Sequence, residues 1–177
     1  MKWLPDLWFT LTYLASAAIS LIVLTSISPD RLPQQATMFG LGFLLFLYFS
    51  AQEAEVYQVF APLLYPLSLV LLTTTLLFGA TIRGSTRWIS LGSFQLQAGE
   101  IVKPFLILAF AYFLTRYPPK TLKNILLSLL LFALPAFLIF RQPDLGTALV
   151  VGSIFTIQLF VAGLPAWALA TFGVVSL

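Results

Sequence analysis

Glu100 and Lys103 are the side chains of this 177-residue chain whose type and setting best suit chemistry. They stand inside "LQAGEIVKPFLILAFAYFL", residues 96–114, a run otherwise fit for a lipid bilayer. At i and i+3 of a helix they lie about 60° apart on one face, within pairing reach. Charges at membrane depth are costly and normally face a bundle interior or a polar cavity. Two readings follow: a structural ion pair at the end of a span, with the acid favoured by the helix dipole, or a pair facing a polar cavity.

Asp144 is the second candidate. In Gln142-Pro143-Asp144-Leu145-Gly146-Thr147 it stands where an apolar run begins, and Asp is a favoured N-cap that would accept the amide of Gly146 or Thr147. The same carboxylate could stand at a cavity mouth and orient a Lys or Arg. Arg83 and Arg87 flank Gly84-Ser85-Thr86, and Arg141 precedes the Asp144 turn. Guanidinium is suited to bidentate phosphate binding, either to lipid headgroups or to a substrate diphosphate. Trp88 fits an interface anchor, and Glu53 and Glu55 a solvated turn.

Composition limits the remaining chemistry. There is no His and no Cys, which removes imidazole and thiolate catalysis, zinc-type sites and disulfides. Charged residues make up 8% of the chain, against about 25% in soluble domains. Hydrophobic residues make up 60%, with a mean hydropathy of +1.00. The basic excess is scattered, which argues for loop charges and anionic lipid rather than nucleic acid.

These side chains must be positioned by membrane helices. Runs of about 20 apolar residues predict spans over 7–27, 32–50, 59–79, 100–114, 122–140 and 145–163, with the start of a seventh at Trp167. The first run is longer than a secretory h-region and reads as a retained helix. The expected fold class is an all-α polytopic bundle, with about six complete spans and no separate soluble domain. The apolar end at Leu177 reads as the middle of a helix, so the chain is expected to be the N-terminal part of a larger membrane domain. Residues 83–99 are expected to be an amphipathic loop lying on the bilayer. With the N-terminus inside, Lys2, Arg116, Lys120 and Lys123 are cytoplasmic, and Arg31, Arg83, Arg87 and Arg141 external. That is a tie under the positive-inside rule, broken by the dense Arg116–Lys123 cluster.

"RGSTRWISLGSFQLQAGEIVK" followed by "RQPDLGTALV" resembles the SEDS family (shape, elongation, division and sporulation proteins of RodA/FtsW/SpoVE type). The resemblance rests on Gly-x-x-Arg-Trp-Ile-x-Leu-Gly, Gln-x-x-Glu-x-x-Lys and Gln-Pro-Asp-Leu-Gly-Thr-Ala, in order and at span boundaries. "QPDLGTALV" and the short N-terminal tail lean towards the RodA branch. The family usually reads Gln-Pro-Ser-Glu where this chain has Gln97-Ala98-Gly99-Glu100, which leaves the start of that helix open.

The resemblance implies a ten-span bundle of the bacterial cytoplasmic membrane that polymerises lipid II on the outer face, with a class B penicillin-binding protein as partner. A sugar hydroxyl of one lipid-linked disaccharide attacks the anomeric carbon of another, and undecaprenyl diphosphate leaves. A divalent cation can assist in the family. Arg87, Glu100, Lys103 and Asp144 match positions with polar roles in the family's cavity. The family's catalytic aspartate lies in a large external loop after span seven, beyond Leu177, so the chain alone is expected to be inactive. A lipid II flippase, or a scaffold for a transpeptidase, are the competing readings of the same buried charges.

Overall fold

The computed structural model describes residues 6–82, 85–91 and 94–164. The expected seventh span, from Trp167, lies outside them. The chain divides into two compact units, Met1–Val56 and Tyr57–Leu177.

In the first unit, α1 (Leu7–Ile27) and α2 (Leu32–Ser50) are joined by a 3₁₀ turn over Pro29–Arg31. Asp6 caps α1, its Oδ1 accepting the Trp8 amide at 2.8 Å. The Tyr13 hydroxyl crosses to α2 and donates to the Phe39 carbonyl at 2.6 Å. Gly42 makes room for it, since a Cβ there would stand 2.9 Å from that hydroxyl. The Tyr13 ring stacks on Phe43 and Phe46.

The second unit holds most of α3 (Ala54–Phe78), then β1 (Ala80–Ile82), β2 (Ser85–Leu91), β3 (Phe94–Gln97), α4 (Ala98–Arg116), α5 (Leu122–Arg141) and α6 (Leu145–Val161). Among the described residues, α1 to α5 are long and apolar enough to cross a membrane, α2 counted with its 3₁₀ turn; α6 is apolar but shorter at 17 residues. The helical membrane bundle is therefore as the sequence predicts. Helix ends differ by small amounts: α3 starts at Ala54 with exposed Glu55 in its first turn, and α6 stops at Val161. Gly163 takes a φ of +101°, and the amides of Gly163 and Leu164 turn back to the carbonyls of Phe160 and Leu159. That closure is available to Gly because it has no Cβ to clash at positive φ.

The segment after α3 departs from expectation. It is not an irregular loop but a three-stranded antiparallel sheet in the order β1-β2-β3. Trp88 pairs with Gln97, Ile89 with Leu96, and Leu91 with Phe94. The physical reason is legible in retrospect. Residues 85–91 are rich in β-branched and aromatic types, and Gly92-Ser93 between two such runs is hairpin composition.

Packing centres on α4 and α6. Val102, Leu106, Phe110 and Leu114 are buried on α4, and Thr147, Val151, Phe155 and Leu159 on α6. Both rows run every fourth residue, the spacing of a helix ridge that fits a neighbour's groove. Phe155 meets Phe110 edge-on at 5.2 Å and stacks on Phe132 of α5 at 4.5 Å. Lipid is as apolar as Leu, so such close packing and polar ties between helices hold a bundle together. One tie answers a specific defect. Pro135 has no N–H, so the Leu131 carbonyl lacks its helical donor. The Tyr65 hydroxyl of α3 supplies one at 2.8 Å.

Candidate functional site

Asp144 is the N-cap of α6, and its side chain is built into a hydrogen-bonded cluster. Oδ1 accepts the Thr147 amide at 3.1 Å, and Oδ2 accepts the Thr147 hydroxyl at 2.9 Å. Gln97, the N-cap residue of α4, donates from Nε2 to the same Oδ2 at 3.2 Å. Asp144 is 5% exposed. A buried carboxylate is tolerated when donors surround it, and the amide end of a helix adds favourable field. The cap reading of Asp144 is therefore realised, and the residue is also among those lining a cavity of about 360 Å3, with Phe140, Pro143, Leu145 and Ala148.

Two further features join the starts of α4 and α6. Gly99 is buried against Thr147, and a Cβ at Gly99 would stand 3.1 Å from Thr147 Cγ2 and Oγ1. Gln142, 2% exposed in the turn before Asp144, donates from Nε2 to the Leu72 carbonyl of α3 at 2.8 Å. The Asp144 turn is thus held to both α3 and α4.

Glu100 and Lys103 form the ion pair that their spacing predicts, with Nζ to Oε2 at 2.6 Å. Lys103 is 22% exposed and Glu100 59%, so the pair lies at a rim rather than in the core. Pro104 follows directly. Because Pro lacks an N–H, the Glu100 carbonyl has no i+4 helical donor.

Arg87 belongs to β2, one residue before Trp88, which is half-buried and pairs with Gln97. The sheet register thus brings the Arg87-Trp88 backbone to the start of α4. Arg141 ends α5 with its guanidinium 5.9 Å from the Phe137 ring centre. Arg83 lies outside the described residues.

A family model described as cell cycle protein, covering FtsW, RodA and SpoVE, matches residues 6–177. The chain belongs to the FtsW/RodA/SpoVE family. Escherichia coli K12 peptidoglycan glycosyltransferase MrdB is 33% identical over 169 residues, 93% of this chain and 45% of that protein. A probable peptidoglycan glycosyltransferase FtsW of Coxiella burnetii is 31% identical over 94% of this chain and 49% of its own length. A crystal structure of a Thermus thermophilus rod shape determining protein RodA variant matches with a TM-score of 0.84 and 33% identity, over 94% of this chain and 57% of that one. A chain from a peptidoglycan synthase complex, described for coordination of polymerization and crosslinking, matches at 0.83 and 32%, over 96% of this chain and 52% of that one. The chain spans about half the length of the curated relatives it matches.

In this FtsW/RodA/SpoVE chain the described residues bring no three His, Cys, Asp or Glu together. Glu100 is held by Lys103, and Asp144 by Gln97 and Thr147. These residues do not by themselves fit a divalent cation. Gln97, Thr147 and Gln142 are site residues that charge-based reading of the sequence passes over. Gln97 and Gln142 do stand inside the motifs that mark the family, which is the signal that points to them.

Proposed function

We propose that this chain is part of a peptidoglycan glycosyltransferase that polymerises lipid II at the outer face of the bacterial cytoplasmic membrane, with its N-terminus inside. The observation that carries this reading is the buried Asp144 carboxylate, hydrogen-bonded by Gln97 and Thr147 beside the first turns of α4. In this reading the Asp144 end of the bundle is external. Glycosyl transfer from a lipid diphosphate needs a base for the attacking hydroxyl and cations for the leaving diphosphate. Lys103, Arg87, Arg83 and Arg141 supply the cations, and Trp88 anchors the sheet at the interface. Glu100 orients Lys103 through their ion pair. Asp144 positions the starts of α4 and α6 and is not proposed as the base. A class B penicillin-binding protein is the proposed partner, as the naming of a peptidoglycan synthase complex among the related structures supports.

The test uses the full-length protein with purified lipid II in detergent, where no sidedness exists. Glycan polymer is the expected product, and it rules out transport alone. Absence of polymer even with the cognate transpeptidase present would overturn the enzyme reading.

A further inference from the structure

We infer that the opposite end of the second unit carries a phospholipid headgroup site, formed by Lys120, Thr115 and Gln158 between the ends of α4 and α6. These residues line a cavity of about 430 Å3, together with Ala111, Leu114 and Val161. That volume lies in the range of small-ligand pockets.

Three observations point to the ligand's chemistry. First, the Gln158 amide is only half satisfied. Its Nε2 donates to the Ile107 carbonyl at 2.8 Å, which settles which end of the amide is which. Its Oε1 is buried and has no hydrogen-bond partner among the described residues. A buried orphan acceptor calls for a donor. Second, the cavity lining itself carries a cation and no acid. Lys120 lines the cavity, and Lys123 lies in the first turn of α5, which has no acidic residue. On α4 and α6, which wall the cavity, and at their N-caps the acids are Glu100 and Asp144, both at the other end, while Glu55 stands in the first turn of α3. The amide end of α5 adds to the positive field. Third, the cavity is at headgroup depth. Thr115 is next to the last residue of α4, and Gln158 stands three residues before the end of α6, about 4.5 Å along the axis. Ala111 and Leu114 continue the wall inward as an apolar surface.

A phosphodiester beside Lys120 with a hydroxyl or ammonium donor beside Gln158 Oε1 satisfies all three. Phosphatidylglycerol and phosphatidylethanolamine have that pattern. Basic pockets at helix ends are a known route to lipid recognition, and the apolar wall takes the first methylenes. The site is independent of the glycosyltransferase reading, because its test measures binding.

The test is native mass spectrometry of the chain in detergent, titrated with phosphatidylglycerol or with phosphatidylmethanol, which keeps the phosphodiester but has no headgroup donor. Phosphatidylglycerol is expected to bind more tightly. Lys120→Gln should weaken both lipids about fivefold, and Lys120→Arg should restore them, which separates lost charge from lost fold. Gln158→Leu should erase the preference between the two lipids. Gln158→Glu, which preserves side-chain length should the Leu variant not fold, puts an anion in the cavity and should also weaken phosphatidylglycerol. Arg31→Gln, in the other unit, should change nothing. Unchanged binding in Lys120→Gln, a preference that survives Gln158→Leu, or unchanged binding in Gln158→Glu would overturn the site. Displacement of the lipid by an equal concentration of glycerol phosphate would assign the cavity to a soluble anion and overturn the lipid.

Discussion

Gln97 donates to Asp144 at 3.2 Å across 47 residues of chain, joining the N-cap residue of α4 to that of α6. Among its partners are three neutral donors, the Gln97 amide and the Thr147 amide and hydroxyl, and the carboxylate itself has no hydrogen to donate. Asp144→Asn should therefore hurt although Asn is a good cap. An NH2 at the Oδ2 position faces the Gln97 donor, and a buried mismatch of this kind costs about 1–3 kcal/mol. Thermal unfolding in detergent should show Asp144→Asn clearly below the parent. Equal stability would mean that the Gln97 contact carries nothing.

Gly99 and Thr147 should behave as a steric pair. Gly99→Ala gains helix propensity, but its Cβ meets a Thr147 side chain that the Asp144 bond holds in place. Overpacking of about 1–3 kcal/mol outweighs the propensity gain of about 1 kcal/mol. Thr147→Ser removes Cγ2, keeps the hydroxyl and should recover part of the loss. The readout is the unfolding midpoint of the two single variants and the double variant.

For Glu100 and Lys103, stability and activity should separate. The pair is partly exposed, so a double-mutant cycle of Glu100→Gln and Lys103→Met in unfolding should give a coupling below about 1 kcal/mol. In the full-length protein the same variants should each abolish most lipid II polymerisation and be non-additive. Full activity of Lys103→Met would remove Lys103 from the proposed cavity.

Tyr65→Phe should cost about 1–2 kcal/mol, because it leaves the Leu131 carbonyl without either donor. In a Pro135→Ala background the helix supplies its own N–H, and the Tyr65→Phe penalty should shrink. A penalty of the same size in both backgrounds would show that the hydroxyl is not there to repair the proline.

Gln142→Leu keeps the volume of the turn residue and removes its bond to the Leu72 carbonyl. The Leu72 carbonyl retains its place in the α3 ladder, so the loss should be modest, about 1 kcal/mol. The informative readout is hydrogen exchange at the Thr147 and Ala148 amides, which should quicken if Gln142 steadies the α6 start.

Much of this molecule follows from local sequence. Apolar runs of bilayer length predict the helices, because in lipid a chain must satisfy its own backbone. The i, i+3 spacing of Glu100 and Lys103 predicts their ion pair, and the position of Asp144 before an apolar run predicts its cap. Pro104, Pro135 and Gly163 act through their own backbone limits wherever they stand. The sheet was within reach as well, since Gly92-Ser93 separates two strand-like runs; its Trp and Leu content reads equally well as an interfacial surface.

The tertiary structure alone decided the rest. Helices apolar on every side show no preferred face, so nothing in the sequence marks Val102, Leu106, Phe110 and Leu114 as the buried row rather than their neighbours. Neutral amides carry no charge signal. That Gln97 reaches Asp144, that Gln142 reaches Leu72, and that Gln158 keeps a buried oxygen without a partner depend on which helix ends meet. Such meetings are contacts between residues 47 or more positions apart. They are set by how whole helix surfaces pack, which local spacing cannot encode.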